Sequence, residues 1–199
     1  FDRRVIEGLR QPLEEKKIRV ARAKGSVTFP ARILLVAAMN PCPCGRRFDP
    51  LHECVCRPGD ILKYERKISS PILDRIDINV EVAPVELKRM HGMQLASETS
   101  KEVRGRVEQA RNIQNKRLAN EGVRTNADMN LKQVEKFAPI GPEESSYLQL
   151  AGTKMGLSAR GWHKVIKVAR TIADLKGNPN ITQDHLAEAL QYRPQKKDY

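Results

Sequence analysis

The sequence predicts a chain that is mainly helical overall, with an α/β part followed by an all-α part. Three observations carry that prediction. Residues 31–38 are almost entirely apolar and include β-branched Ile33 and Val36, the pattern of a strand buried on both faces. Residues 76–82 alternate apolar with polar or charged side chains, as a second strand does. In the last third, apolar residues return instead at helical spacing, as in Trp162, Val165, Ile166, Ala169, Ile172 and Ala173.

Taken in order, Val5, Ile6, Leu9 and Leu13 form a helical stripe that Pro12 ends or kinks, because proline lacks the backbone donor. Ile18 and Val20 then alternate with Arg19 and Ala21, Lys24-Gly25 offers a turn, and Val27 to Phe29 runs back, so 18–29 is a predicted hairpin. Residues 41–60 are rich in Cys, Pro, Gly and charge and read as irregular, with a short helix over 61–68. Past Pro84 the composition turns polar. A linker is expected over 86–99, dividing a first region, 1–85, from a helical region, 100–199. Ser100 can cap a long helix reaching about Ala119. Asn130 caps a short one that stops before Pro139. Pro142 suits the first position of a helix stopped by Gly156, Ser158 caps the next, and Thr182 the last, with Asp184 in its first turn.

Charge narrows the function. The 199 residues carry a formal net charge of +12, which favours a polyanionic partner such as DNA over a merely solvated basic surface. No apolar run reaches the roughly 18 residues of a membrane span, and no signal peptide opens the chain. The chain starts at Phe1, already inside a helical pattern, and reads as a fragment of a longer cytoplasmic protein.

The candidate site residues each have a plain alternative. Cys42-x-Cys44 and Cys54-x-Cys56 are separated by nine residues, so four thiolates in a loop of fifteen can close a structural tetrahedral zinc site. A disulfide or redox pair and four unligated thiols are the alternatives, and His52 is a possible substitute ligand. Asn40, after the first apolar run, can orient a water against a phosphate or simply cap the following turn. Arg75, between Asp74 and Asp77, fits a surface ion pair or a guanidinium supplied to a neighbour's nucleotide. Arg160 sits in the first turn of a helix, at the positive dipole end, which suits an anionic ligand or plain exposure. Arg22 and Lys24 at the hairpin tip face either solvent or DNA. The basic helix over 100–119 reads first as a plain amphipathic helix.

Together, LLVAAMNPCPCG, CVCRPGDI, SPILDRIDINVEV, LSARGWHKVIKVARTIADL and HLAEALQYR closely resemble the magnesium-chelatase-like AAA+ ATPases of the ComM/YifB type, across essentially the whole chain. The resemblance implies a partial AAA+ core over 1–85 and a helical lid over 100–199. It makes Asn40 sensor 1, Arg75 the arginine finger and Arg160 sensor 2, and the 18–29 hairpin a channel-facing element carrying Arg22 and Lys24. It also implies a ring, hexameric by expectation, that uses ATP and magnesium and acts on DNA in recombination or natural transformation.

The departures are equally specific. No G-x-x-x-x-G-K-[ST] occurs in the sequence, and Gly152-Thr153-Lys154 falls inside a helix pattern. The phosphate loop and magnesium-binding acid of the family are therefore expected upstream of Phe1, and this chain alone is predicted not to hydrolyse ATP. The family's sheet places a further strand between the two found here. Without it, those two strands either pair with each other or leave the N-terminal region loosely ordered beside an independently folded lid. Two rival functions remain: the ATPase subunit of a metal chelatase, and a stand-alone zinc-binding DNA-binding module.

Overall fold

The computed structural model describes residues 2–23, 25–82 and 98–194. These residues form two compact units: the chain up to 76 with 81–82, and residues 77–80 with 98–194. Helices dominate, and one two-stranded sheet is present among the described residues.

The first unit opens with α1 (Arg3–Gly8), whose cap Asp2 accepts from the Arg4 amide at 2.7 Å. Helix α2 (Arg10–Glu15) follows after a break at Leu9. Continuing α1 would require an amide hydrogen that Pro12 does not have; restarting at Arg10 puts Pro12 in the first turn, where none is needed. The hairpin forms as predicted, with β1 (Lys17–Arg22) antiparallel to β2 (Gly25–Pro30) in the register Ile18↔Phe29 to Arg22↔Gly25. Every residue of both strands is exposed. Arg22 ends β1, whereas Lys24 lies outside the described residues.

The two further predicted strands do not form. Residues 31–38 run without strand pairing, and Leu34 and Val36 are 90% and 83% exposed. Residues 76–82 likewise join no sheet, with Val80 and Val82 exposed. The physical reason is partnership: a strand of that composition needs hydrogen-bonded neighbours and apolar cover on both faces. The described residues supply neither. Helix α3 (Pro58–Glu65) replaces the helix expected over 61–68, because Pro58 starts it as its first residue. A single turn, α4 (Ser70–Leu73), follows and buries Ile72.

The second unit is a bundle whose helix signals are nearly all where the sequence puts them. Helix α5 (Ser100–Arg117) begins one residue earlier than predicted. Thr99, not Ser100, is the cap, because Thr99 has a glutamate three positions on. The Glu102 amide donates to Thr99 Oγ1 at 3.3 Å, and the Thr99 amide donates back to the Glu102 carboxylate at 2.7 Å. A short 3₁₀ turn (Asn126–Asp128) leads to α6 (Leu131–Phe137), capped reciprocally by Asn130 and Gln133. Helix α7 (Pro142–Met155) ends at Gly156, whose φ of 63° is the left-handed stop that glycine adopts without strain. It contains the Gly152-Thr153-Lys154 triplet, which is helical throughout.

Helix α8 (Ala159–Leu175) is the axle of the bundle. Ser158 Oγ accepts from the Gly161 amide at 3.1 Å, and Val165, Ala169 and Ala173 are fully buried. Helix α9 (Gln183–Gln191) packs alongside, with Leu186 and Ala189 buried. Leu118, Met129, Val134 and Leu148 complete the core, and Trp162 lies partly buried against it. The 77–80 segment belongs to this unit. The Asn79 amide donates to the Tyr192 carbonyl at 2.9 Å, and Asp77 pairs with Lys164 on α8. No helix among the described residues is long and apolar enough to cross a membrane.

Candidate functional sites

The four cysteines converge. Residues 42–45 form a tight turn closed by the Gly45 amide donating to the Cys42 carbonyl at 3.0 Å, with Gly45 at φ 78°. That turn sets Cys42 and Cys44 side by side, and the loop returns Cys54 and Cys56 to the same point. The Cys42 and Cys44 sulfurs are 3.4 Å apart, Cys42 and Cys54 3.7 Å, and Cys44 and Cys54 3.6 Å. All four Sγ atoms lie within 4.8 Å of one another.

No disulfide links them. A tetrahedral ion with metal–sulfur bonds of about 2.3 Å holds its sulfurs about 3.8 Å apart, so the cluster already has nearly the size such an ion requires. The cysteines can therefore hold a metal ion. His52 is not part of this set: its Nδ1 lies 2.9 Å from the Asp49 carboxylate.

The thiols are electrostatically unequal. Cys44 is pulled down to about 6, first by a hydrogen bond from the backbone at Arg46 and also by the thiols of Cys56 and Cys42. Cys56 is pushed up to about 12: a backbone hydrogen bond at Cys44 lowers it, but burial and the neighbouring thiols of Cys44, Cys54 and Cys42 outweigh that. Cys54 is raised as well, where a backbone hydrogen bond at Cys56 is outweighed by burial and by Cys44 and Cys42. One ready thiolate, Cys44, beside Cys54 and Cys56, whose thiols hold their protons, is the state expected of a ligand set that sheds protons as it takes up a cation.

Asn40 stands next to this loop. It is exposed, and a Cβ added at Gly45 would sit 3.8 Å from its side-chain amide. Arg75 is held by the first unit, donating from Nη1 to the Pro71 carbonyl at 2.6 Å and pairing with Glu14 on α2, 61 residues upstream. Arg160 occupies the second position of α8 and is exposed. Asn40 and Arg75 thus belong to one unit and Arg160 to the other. Arg22 is exposed at the end of β1.

A buried polar cluster inside the bundle escaped sequence reasoning. Asp174, fully buried in the last turn of α8, accepts from both Nη atoms of Arg117 and from Asn126 Nδ2. It also accepts from Arg170 Nε at 3.1 Å, while Arg170 donates onward to the carbonyls of Asn178 and Pro179. Burial works against the Asp174 carboxylate, yet Arg117, Asn126 and Arg170 together hold it below the usual range. The signal that was available is Arg170-x-x-x-Asp174, an opposite-charge i,i+4 pair inside a strongly apolar stripe.

Comparison with known proteins bears on the whole chain. The family model for magnesium chelatase, subunit ChlI, matches residues 1–90, and the model for the ChlI C-terminal region matches residues 97–193. Competence protein ComM of Haemophilus influenzae is 41% identical over 193 residues, 97% of this chain and 37% of that protein. The uncharacterized protein YifB of Escherichia coli is 36% identical over 193 residues, with the same coverage of 97% and 37%. A Mycobacterium tuberculosis relative is 36% identical over 189 residues, 94% of this chain and 37% of its own length. The chain thus spans little more than a third of the curated relatives it matches.

Proposed function

The chain belongs to the magnesium-chelatase ChlI family, in its ComM/YifB branch, and on that premise we propose that it is the C-terminal portion of an AAA+ motor. That motor is a ring, hexameric in this reading, driven by ATP and magnesium and acting on DNA in recombination or natural transformation. The observation that carries the reading is the match itself, continuous through both family models and strongest in identity, among the relatives compared, to a competence protein.

Two features of the chain support it. Leu34, Val36, Val80 and Val82 are exposed apolar residues on segments that join no sheet among the described residues, and sheet neighbours from the rest of the protein would cover them. The formal charge of +12 suits a phosphate-tracking partner. In this reading, the first unit is the edge of an AAA+ core and the helical bundle is its lid. Asn40 serves as sensor 1 and Arg160 as sensor 2. Arg75 serves a neighbouring subunit's nucleotide, trading its Glu14 partner for phosphate oxygens. Arg22 and Lys24 face DNA in the channel. Cys42, Cys44, Cys54 and Cys56 hold a structural zinc, four protein ligands leaving no open position for catalysis. The protein works in the cytoplasm, where thiols stay reduced. With no phosphate-loop motif in its 199 residues, this chain alone does not turn over ATP.

The test is ATP hydrolysis by the intact protein with and without DNA. DNA should stimulate turnover, and Arg75→Ala should cut it by about 10³-fold or more while nucleotide binding persists. The second reading, an ATPase subunit of a metal chelatase, is favoured by the family's own description. Turnover indifferent to DNA but dependent on a porphyrin-handling partner would establish that reading instead.

A further inference from the structure

We propose that the groove between α1 and the C-terminal end of α3 is a binding surface for the phosphodiester backbone of nucleic acid, distinct from the hairpin. The inference rests on the reading of the protein as DNA-acting and names a second place where DNA would be held. The groove is lined by Arg3, Gly59, Leu62, Lys63, Arg66 and Lys67. Positions 59, 62, 63, 66 and 67 follow one another at helical spacing, so α3 and the turn after it present a single basic face. Arg3 is brought to that face from the first position of α1.

Three properties separate this face from an ordinary solvated charge run. No carboxylate lines it. Arg3, Lys63 and Arg66 form no ion pair among the described residues, although other cations of the same unit do: Arg10 with Glu7, Arg47 with Glu65 and Arg75 with Glu14. Lys67 has its ammonium 5.5 Å from the centre of the Tyr64 ring, which fixes its direction without neutralising it. Complementing the negative end of the α3 dipole accounts for the cations at 63 and 66, but not for Arg3, which comes from another helix.

The shape selects the ligand. The groove has a volume of about 530 Å³ and is open along its outer side. Its lining combines Leu62 and Gly59 with the long basic side chains of Arg3, Lys63, Arg66 and Lys67. A nucleic-acid backbone presents the matching alternation, phosphates that need Lys and Arg and sugars that rest on apolar surface. A free phosphate is better served by an enclosed cradle of backbone amides, which this groove does not offer.

The experiment measures binding of fluorescent duplex and single-stranded DNA by this chain across a salt series. Three proteins are compared: the wild type, a groove variant (Lys63→Gln, Arg66→Gln, Lys67→Gln) and a control of equal charge loss (Arg124→Gln, Lys132→Gln, Lys154→Gln). All six positions are exposed, and circular dichroism verifies that each variant keeps the wild-type helicity. The groove variant should lose about 2 to 3 from the slope of log K against log salt, and at least tenfold in affinity near 0.1 M salt, with the control close to wild type. Equal losses in both variants, or tight DNA binding by an unaffected groove variant, overturns the groove while leaving a DNA-acting protein. Absence of DNA binding by the wild type even at low salt overturns the DNA reading and the groove with it. Displacement of DNA by polyglutamate at matched charge, as effective as by unlabelled DNA, overturns the choice of nucleic acid in favour of an acidic protein partner.

Discussion

Arg117 grips Asp174 with both arms of its guanidinium, Nη1 at 2.7 Å and Nη2 at 2.6 Å, across 57 residues of sequence. The pair ties α5 to the far end of α8, and Arg170 and Asn126 close the remaining sides of the carboxylate. Removing one partner of a buried charged set leaves the others unpaired in a medium that solvates them poorly. Asp174→Ala is therefore expected to cost about 3–5 kcal/mol, and Asp174→Asn less, since it keeps hydrogen-bonding capacity. Denaturant unfolding followed by circular dichroism measures this. A loss under about 1 kcal/mol for Asp174→Ala would show that the cluster is not what fastens α5 to the bundle.

His185 gives the bundle an acid sensitivity. Its Nδ1 accepts from the Thr182 amide at 3.0 Å, so that nitrogen must be unprotonated for α9 to be capped. Burial, reinforced by the charges of Lys176 and Arg170, holds its pKa below 6.5. A histidine depressed in the folded state takes up protons more readily when unfolded. Its stabilising contribution is complete above the unfolded value and is lost as the pH falls through the folded one. Stability should thus decline on acidification below about pH 6.5. His185→Gln, which preserves an acceptor at the third position of the capping box, should flatten that decline. An unchanged slope in the variant would assign the acid sensitivity to other groups.

The cysteine loop makes a paired prediction. Chain purified without chelator should contain one zinc per molecule, and Cys42→Ser should release it, because Cys42 is the fully buried cysteine of the four. After zinc removal, alkylation at pH 7 should strike Cys44 first, since a thiol near 6 is largely thiolate there, and Cys56, near 12, last. With zinc restored, all four should resist. Metal-free protein whose thiols react at equal rates would rule out a preformed site.

How much was legible in the sequence depended on how local each cause was. Ser158, Asn130, Thr182 and Gly156 announced their helix ends because a cap and its partners lie within three or four residues. The hairpin was readable for the same reason, as its register follows from its turn. The convergence of the four cysteines was readable from spacing, since one short loop carries them all. Thr99 was missed in favour of Ser100 because both are capping residues, and the choice rested on Glu102. The Arg117–Asp174 pair was invisible, because nothing local links two residues so far apart. Residues 31–38 and 76–82 failed for a deeper reason: composition states what a segment would do beside the right neighbours, not whether the described residues provide them.

That distinction is itself measurable by amide hydrogen exchange. In the bundle, Val165, Ala169 and Leu186 are helical residues whose own side chains are fully buried, and their amides should exchange only through global opening of the unit. Leu34 and Val36 are 90% and 83% exposed on an unpaired segment, and their amides should exchange within a few orders of magnitude of an unfolded chain. In the intact protein the same amides should become protected, because the sheet neighbours proposed for the AAA+ core would pair with them. Protection at 34 and 36 in this chain alone would mean that the segment finds a strand partner by self-association, as exposed apolar strands tend to do. In that case the protection should rise with protein concentration. Protection independent of concentration would contradict the unpaired arrangement.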